Sequence, residues 1–249
     1  MPKPTPKEFE VIRSVYVTPH MLRVTLGGEA MLAFPPEQES AYVKLLFPQP
    51  EGARPLMRTY TIRHQRDNEI DVDFVIHEHA GPASAWARAA QPGDRILVGG
   101  PGARKLINPD ADWFLLAGDM TALPAISVNL DLLPESARGY AVITVVDESD
   151  IQVLPHPQGV DIHWIVCPTE EEGESALLEH IETLSCPSGQ PSVWAACEFS
   201  EMQQLRQYFR QQWAVPNSHR YVSSYWKKGL SEDQHKQVKR QDAEVSEVS

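Results

Sequence analysis

The segment RTYTIR, residues 58–63, carries side chains that could hold a charged, planar ligand. Arg58 could bind a phosphate through two guanidinium N–H groups, because its planar fork matches the geometry of phosphate oxygens. Tyr60 offers a flat ring for stacking, and Thr61 offers a small hydroxyl group for a hydrogen bond. Strand alternation would place three side chains on each face: Arg58, Tyr60 and Ile62 on one, and Thr59, Thr61 and Arg63 on the other. Neither face is cleanly apolar, so the segment predicts either a ligand-facing strand or an exposed edge strand.

A second segment, HEHAGPAS (77–84), supplies groups that favour a phosphate. Pro82 is typical of the first turn of a helix, so a helix is expected to begin just after Gly81. The unpaired N–H groups at a helix start, together with the positive end of the helix dipole, attract anions. Ser84 adds a hydroxyl donor. With residues 58–61, these groups indicate a site for a planar heterocycle with a pyrophosphate tail. The alternative is an ordinary N-capped helix beside an edge strand.

The segment GDMTALPAI (118–126) is a third candidate, because it follows the continuous apolar run Trp113–Ala117 and opens an apolar helix. A run of this kind is typical of a strand covered on both faces. The turn after such a strand is where an open α/β sheet binds nucleotides. The dinucleotide fingerprint GxGxxG does not occur in this segment. The segment therefore predicts either a nucleotide site or a plain strand–helix turn.

Short strands separated by turn residues dominate the first hundred residues, and their number predicts a small closed antiparallel barrel of six strands. The predicted strands are Glu10–Val17, Met21–Gly27, Ala41–Phe47, Arg58–Arg63, Glu69–Ile76 and Asp94–Gly99. Residues 69–76 alternate between an apolar face and a largely acidic face, which predicts a half-buried strand. One helix, over residues 81–94, is expected to interrupt the strands.

From about residue 110 onward, strands alternate with helices, which predicts a parallel α/β sheet with helices on both faces. The predicted strands are 113–117, 140–146, 161–166, 192–196 and 220–224, and the predicted helices are 122–133, 175–184 and 200–213. We therefore expect a barrel domain over residues 1–108 and an α/β domain over residues 109–249. The charged tail after Leu230 is expected to form a short helix that frays into disorder.

Composition limits the classes of function. The chain has 249 residues, of which 42% are hydrophobic, so it can bury a core. Its net charge of −12 argues against nucleic acid as the main partner, because phosphate contacts require positive charge. Three cysteines without a CxxC predict neither a disulfide framework nor a zinc site, and the histidines show no convincing metal-ligand spacing. The N-terminus lacks an apolar signal region and the apolar runs are too short to span a bilayer, which predicts a cytoplasmic protein.

Four motifs occur in order along the chain: RTYTIR, DFVIHEHAGPASAWA (73–87), PGDRILVGGPG (92–102) and LLAGDMTALPAI (115–126). In this order they resemble the siderophore-interacting protein family, whose members are FAD-dependent ferric-siderophore reductases of the ferredoxin–NADP⁺ reductase superfamily. The resemblance runs from about residue 10 to the YWKKG that ends at residue 229. It implies an FAD-binding barrel, an α/β domain that binds NAD(P)H, and a ferric siderophore as the substrate.

The resemblance also implies roles for individual positions around FAD. Arg58 would contact the FAD phosphate, Tyr60 would stack on the isoalloxazine ring, and Thr61 would bond near flavin N5. Tyr60 and Thr61 are therefore the implied catalytic residues. The residues that would line the ring and the ribityl or adenosine portion are Asp73, Phe74, Val75 and His77. The residues that would hold the pyrophosphate are Gly81, Pro82, Ala83 and Ser84.

The electron donor would bind in the second domain. The implied contacts are Asp119, Thr121, Ala122 and Trp226. Met120 stands where the family's usual motif, GDETALPAI, has a glutamate, so an acidic side chain near the nicotinamide would be lost. Asp147 and Glu148 follow a predicted strand, and acidic residues there favour a 2′-hydroxyl over a 2′-phosphate, hence NADH over NADPH. Ferredoxin is the alternative donor. Cys197-Glu198 partly matches the family's Gly-Glu, although a cysteine at a strand end more often only packs.

An anionic ferric chelate that binds an acidic protein needs a local cationic patch. The candidate substrate-binding residues are Lys44, Lys227 and Lys228, and the resemblance implies that their segments lie near the open side of the flavin. A different class of function stays open at this point: a carrier that holds flavin or siderophore without turning it over. The sequence alone does not identify the siderophore.

Overall fold

The computed structural model describes residues 5–49, 55–77, 81–169 and 171–248, and the side chains only as far as residue 244 at the C-terminus. The chain divides into two compact units. The first comprises Met1–Leu106, Pro124–Leu132 and Val146–Pro155, and the second comprises Ile107–Leu123, Leu133–Val145 and His156–Ser249. The predicted domain boundary between residues 108 and 109 stays a prediction.

The first unit contains the predicted six-stranded antiparallel barrel. Its strands are β1 (Lys7–Thr18), β2 (Met21–Gly27), β3 (Tyr42–Phe47), β4 (Leu56–Arg66), β5 (Glu69–Val75) and β6 (Arg95–Gly99). They close in the order β1-β2-β5-β4-β3-β6. The predicted helix is shorter than expected and forms α1 (Pro82–Ala89). The helix ends at residue 89, and Ala90 is no longer helical. The turn formed by Pro92 and Gly93 follows closely, and these two residue types favour the end of a helix.

The barrel core forms because alternate residues of each strand point inward. In β3, for example, Val43, Leu45 and Phe47 are buried, whereas the residues between them are partly exposed. The Trp86 ring of α1 packs edge-on against Phe47, with ring centroids 5.8 Å apart. Helix α1 therefore belongs to the barrel core, and its position follows from this aromatic contact.

The acidic face of β5 is not exposed to solvent, which corrects the prediction of a half-buried strand. Asp71 and Asp73 are only 3% and 7% exposed. Arg23 of β2 holds Asp73 through two hydrogen bonds of 2.6 and 2.8 Å, and Arg66 donates to Asp71 at 2.7 Å. Burial opposes ionisation of Asp71, but the bonds from Arg66 and Thr25 outweigh it and lower the pKa of Asp71. A layer of arginine side chains therefore covers carboxylates that the alternation pattern assigned to solvent.

The second unit contains the predicted parallel sheet. Its strands are β7 (Trp113–Gly118), β8 (Arg138–Val145), β9 (Gly159–Val166), β10 (Pro191–Glu198) and β11 (Arg220–Trp226), in the order β11-β10-β7-β8-β9. The helices are α2 (Leu123–Leu132), most of which groups with the first unit, α3 (Ala176–Thr183), α4 (Phe199–Gln211) and α5 (Glu232–Val248). After β7 the chain adds β8 and β9 on one side of this strand, and it then returns to add β10 and β11 on the other side. The gap between β7 and β10 is therefore a topological switch point, where such sheets bind ligands.

Helix α5 corrects the prediction of a short, fraying tail, because it runs for 17 residues. Arg206 of α4 pairs with Asp242 through two hydrogen bonds of 2.7 Å. Ser224 Oγ and His235 Nε2 lie 2.8 Å apart and are both buried. These contacts to α4 and β11 hold the helix, whose own residues are mostly polar.

Gly139, at the start of β8, is expected to tolerate no side chain. Its φ is +140°, and a Cβ atom there would lie 1.9 Å from the carbonyl oxygen of Phe114 on β7. We expect Gly139→Ala to lower the melting temperature and to reduce the free energy of unfolding by at least about 2 kcal/mol. Gly229→Ala is the matched control, since Gly229 has φ +73° but a Cβ there meets nothing within 4 Å. Equal melting temperatures for the two variants would contradict this steric explanation.

Candidate active site

The rim of the barrel carries an aromatic cluster centred on Tyr60. The Tyr60 ring is half-buried and lies 4.3 Å from the Phe74 ring, with a tilt of 39° between the ring planes. Phe74 is fully buried and lies 5.9 Å from Trp86 of α1. Ile62, two residues after Tyr60 on the same face of β4, is also fully buried. Strand β4 thus passes from the core at Ile62 to the rim at Tyr60, where a ring supported from behind can stack on a planar ligand.

The start of α1 lies in the same unit and is built for an anion. Gly81 is the N-cap residue, and among the described residues no side chain caps the helix. The first intrahelical bond runs from Ala85 N–H to the Gly81 carbonyl oxygen at 2.9 Å, so the N–H groups of Ala83 and Ser84 precede it. A Cβ atom at Gly81 would meet nothing within 4 Å, so space is open beside the helix start. Residues 78–80, which belong to the predicted phosphate segment, lie outside the described residues.

This combination of groups fits FAD. A supported aromatic ring, an arginine on the same strand face and an uncapped helix start match a planar ring system joined to a pyrophosphate. The Arg58 guanidinium donates one hydrogen bond of 2.9 Å to the carbonyl oxygen of Met57, its neighbour in sequence, and its side chain is half-buried. Arg58 and Tyr60 are the predicted residues that β4 brings to one face.

Other predicted FAD contacts lie elsewhere on the barrel. Thr61 lies on the opposite face of β4 from Tyr60, in register with Tyr42 of β3. The Asp73 carboxylate is held by Arg23, and Phe74 has no exposed surface, so it supports Tyr60 from behind. The remaining two lie at the end of β5: Val75 is half-buried and His77 is exposed.

A second cluster forms where β7 and β11 of the parallel sheet end. The Asp119 carboxylate accepts a hydrogen bond of 2.7 Å from Trp226 Nε1 and one of 2.8 Å from the Thr121 N–H group. Burial raises the pKa of Asp119, although these hydrogen bonds oppose the rise. Ala122 is fully buried and Met120 is almost so. The structure therefore joins Asp119 and Thr121 to Trp226, which is far from both in sequence, beside the switch point.

Two acidic residues of different burial lie near the end of β10: Glu198 is half-buried and ends the strand, and Glu201 is buried in α4. Glu198 caps α4 by accepting from the Ser200 N–H group, and it also accepts from the Lys228 N–H group at 3.1 Å. Glu201 is 6% exposed and accepts from the Leu177 N–H group at 2.8 Å. Burial raises the pKa of Glu201 to about 8, so its carboxyl group is largely protonated at neutral pH. Burial also raises the pKa of the Cys197 thiol well above its ordinary value, which keeps the thiol unreactive.

Sequence reasoning did not single out Glu201. A signal was present, because Glu201 lies on the same side of α4 as the buried Leu205 and directly precedes the buried Met202. An acidic residue on the apolar side of a helix indicates a buried carboxyl group with a hydrogen-bond partner.

The three predicted substrate lysines have different surroundings. Lys44, on β3, is half-buried and lies in register between Thr59 and Gly99. Lys227 Nζ lies 4.2 Å from the centroid of the Phe199 ring. Lys228 Nζ lies 3.1 Å from Glu171 Oε1 and 3.3 Å from Glu174 Oε1. The charge of Lys228, which was expected to attract an anionic substrate, is thus already paired with two carboxylates.

The two acidic residues after β8, Asp147 and Glu148, differ in their contacts. Asp147 accepts hydrogen bonds from the N–H group of Ser149 at 2.8 Å and from its hydroxyl group at 2.6 Å. These two bonds lower the pKa of Asp147. Asp147 and Glu148 are both exposed. Asp147 therefore caps a short turn, and Glu148 presents its carboxylate to solvent.

The described residues show neither a metal-binding group nor a helix that could cross a membrane. No group of three or more histidine, cysteine, aspartate or glutamate side chains within the described ranges is arranged to hold a metal ion. Likewise, no helix in the described part of the chain is long and apolar enough to cross a membrane.

Comparison with known proteins identifies the family. Residues 10–53 and 49–105 match a model described as the siderophore-interacting FAD-binding domain, and residues 111–229 match a model described as siderophore-interacting protein. Ferric vibriobactin reductase ViuB of Vibrio cholerae is 33% identical, with 92% of each chain aligned. The NADPH-dependent ferric-chelate reductase of Escherichia coli is 28% identical over 88% of this chain and 92% of that protein.

A solved structure agrees with these matches. The siderophore-interacting protein SipS from Aeromonas hydrophila superposes with a TM-score of 0.87 and is 31% identical, covering 98% of this chain and 100% of its own. The matched ranges cover both the barrel, with Tyr60 and the start of α1, and the parallel sheet, with Asp119 and Trp226. This chain belongs to the siderophore-interacting protein family and carries that family's FAD-binding domain.

Proposed function

We propose that the protein is an FAD-dependent reductase that reduces Fe(III) in a ferric siderophore, with NAD(P)H as the electron donor. The observation that supports the proposal is the presence of two separate clusters: an aromatic ring and a helix start on the barrel, and a polar cluster at the switch point of the parallel sheet. The names of two relatives support the same chemistry, since one is a ferric vibriobactin reductase and the other an NADPH-dependent ferric-chelate reductase. The predicted barrel domain, residues 1–108, would hold the cofactor.

Bound FAD would accept two electrons from a nicotinamide and release them singly, which Fe(III) requires. The protein's own residues position the groups. Tyr60 presents a ring whose orientation is restricted by Phe74, whereas Arg58 would neutralise phosphate charge and the start of α1 would donate N–H groups to the pyrophosphate. The hydrogen bond of Thr61 near flavin N5 stays a prediction from the family resemblance.

The donor site is proposed at the carboxyl ends of β7 and β10. Thr121 and the Asp119 carboxylate lie there, and the bond from Trp226 fixes the orientation of the carboxylate. Asp147 and Glu148 favour a ribose with a free 2′-hydroxyl, and therefore NADH, whereas the relative from Escherichia coli is named for NADPH. The buried, apolar Met120 leaves ferredoxin as the alternative donor.

A spectroscopic titration tests the proposal. The purified protein is expected to show flavin absorption, and NADH or NADPH added without oxygen is expected to bleach it. A ferric siderophore added next is expected to restore the oxidised spectrum and to yield Fe(II). Bleaching by reduced ferredoxin alone would support the alternative donor. A protein that stays colourless after addition of FAD would refute the flavin function, and a stable yellow colour with every donor would indicate a carrier.

Lys44→Ala is expected to weaken binding of the ferric siderophore without loss of FAD. Lys44 is a half-buried cation on a barrel strand, and removal of one attractive charge raises the Michaelis constant by roughly threefold to tenfold. Steady-state kinetics and the ratio of flavin to protein measure the two effects. Lys236→Ala is the control, because Lys236 pairs with Glu232 one helical turn away on α5. An unchanged Michaelis constant in Lys44→Ala would remove Lys44 from the substrate site.

A further inference from the structure

A cavity of about 220 Å³ lies on the outer face of the barrel, within the first unit. Its polar lining consists of Glu39, Arg63, His64, Arg104 and Asp131, and two apolar side chains of α2 complete the wall. The cavity is distinct from the FAD rim, because Arg63 follows the inward-facing Ile62 and points to the opposite side of β4 from Tyr60. The proposed reductase function assigns no role to it.

Arg63 enters this cavity without a carboxylate partner. Its nearest polar contact is a long one, 3.5 Å from Nη1 to His64 Nδ1, and no described carboxylate oxygen lies within ion-pair distance of its guanidinium. Burial lowers the pKa of Arg63; the charge of Asp73 opposes this effect only in part, and the charge of Arg23 adds to it. A half-buried cation without a counterion is costly, so an anion that entered the cavity would be attracted.

Arg104 provides a second guanidinium with a fixed orientation. Its Nε donates to the Glu39 carbonyl oxygen at 2.9 Å, and its backbone pairs with that of Ala41. Within the described ranges its two Nη groups have no hydrogen-bond or ion-pair partner. A guanidinium that is held through Nε and presents both Nη groups can form the paired bonds that carboxylates and phosphates accept.

The two acidic residues of the lining form no ion pair with either arginine within the described residues, although the charge of Asp131 raises the pKa of Arg63. Glu39 Oε1 accepts from the Gln65 N–H group at 3.1 Å, and Asp131 is exposed at the end of α2, beyond ion-pair distance of Arg63. Burial lowers the pKa of His64, and the charge of Arg63 lowers it further, so the His64 ring is neutral at physiological pH and can donate one hydrogen bond. The cavity thus combines two guanidinium groups and one neutral donor with two carboxylates that form no ion pair with the guanidinium groups within the described residues.

We propose that this cavity is a binding site for a small anion that carries a carboxylate or phosphate group, held between Arg63 and Arg104. The two guanidiniums supply paired N–H donors, His64 supplies a further donor, and the apolar side of α2 contacts the non-polar part of the anion. The chemistry shared by the two ligand types is a planar or tetrahedral group of anionic oxygens.

Calorimetric titration of the full-length, FAD-loaded protein tests this site. Inorganic phosphate and citrate are the two probes, and sodium chloride of matched ionic strength corrects for screening. The wild-type protein is expected to bind at least one probe saturably, and the tighter probe identifies the class of ligand. Arg63→Gln and Arg104→Gln are each expected to weaken that binding by at least about tenfold, because each removes a charged donor pair. Arg95→Gln is the control, since Arg95 is an exposed barrel arginine paired with Glu8.

Two results would overturn the proposal: no saturable binding of either probe, or equal affinity in the wild-type protein and in both glutamine variants. If Arg63→Gln fails to fold, Arg63→Lys takes its place. This variant keeps the charge but loses the planar fork, so its affinity is expected to lie between those of the wild-type protein and Arg104→Gln. Flavin absorption of each variant shows whether the FAD rim is intact, which separates failure of this site from failure of the reductase proposal.

Discussion

Tyr60→Ala is expected to lose most of its FAD during purification while the barrel stays folded. The Tyr60 ring is half-buried at the rim and rests on Phe74 at 4.3 Å, so it can stack on a ligand without moving. Loss of one stacking ring costs about 1–3 kcal/mol, or roughly a fivefold to 150-fold weaker affinity. The ratio of flavin absorbance to protein and a titration of the apoprotein with FAD measure the effect.

Two further variants sharpen this test. Tyr60→Phe keeps the ring and is expected to retain FAD, which separates stacking from the hydroxyl group. Tyr16→Ala removes an exposed tyrosine from β1 of the same barrel and is expected to keep both flavin and melting temperature. The proposed stacking role is wrong if Tyr60→Ala retains FAD as the wild-type protein does.

Glu201→Gln is expected to make the protein more stable at alkaline pH and to leave its stability at acid pH almost unchanged. Burial raises the folded-state pKa of Glu201 from 4.5 to about 8, and the hydrogen bond from Leu177 opposes the rise only in part. The folded protein therefore retains a proton that the unfolded chain releases. The stabilisation linked to this proton is complete below the unfolded pKa and is lost as the pH rises through about 8.

The size of the effect follows from the shift. One pKa unit corresponds to about 1.4 kcal/mol, so the rise from 4.5 to about 8 sets a ceiling on the order of 5 kcal/mol for Glu201→Gln near pH 9. Glutamine stays neutral and keeps a carbonyl oxygen for the Leu177 N–H group. Melting temperatures near pH 5, 7 and 9 measure the effect, with Glu179→Gln, an exposed position on α3, as the control. Parallel pH profiles for Glu201→Gln and the wild-type protein would mean that Glu201 is ionised in the folded state.

Local pattern was sufficient for most of the secondary structure. Strand β2 has the predicted bounds, and β6 begins one residue later than predicted. Alternation, apolar runs and turn residues act over a few neighbouring positions, so they can be recognised in the sequence. The same holds for the residues of the FAD rim that lie close together, since Arg58 and Tyr60 share one strand face by alternation alone.

Contacts between distant segments could not be predicted in this way. Asp73 alternates as a solvent-facing residue should, but the register of β2 against β5 places Arg23 over it. Helix α5 is mostly polar, and its contacts with α4 and β11 explain its length. In both cases a partner far away in sequence supplies the charge or the hydrogen bond: it allows Asp73 to be buried, and it holds α5 in place.

The sequence by itself determined the order of the elements, the barrel followed by a parallel sheet, and the family to which the motifs belong. Only the tertiary structure decided the surroundings of individual charges. It joined Asp119 to Trp226, paired Lys228 with Glu171, buried Glu201 against Leu177 and left Arg63 without an ion pair to any described carboxylate. The physical reason is that propensity and periodicity depend on neighbouring residues, whereas pairing and desolvation of a charge depend on strand register and helix packing.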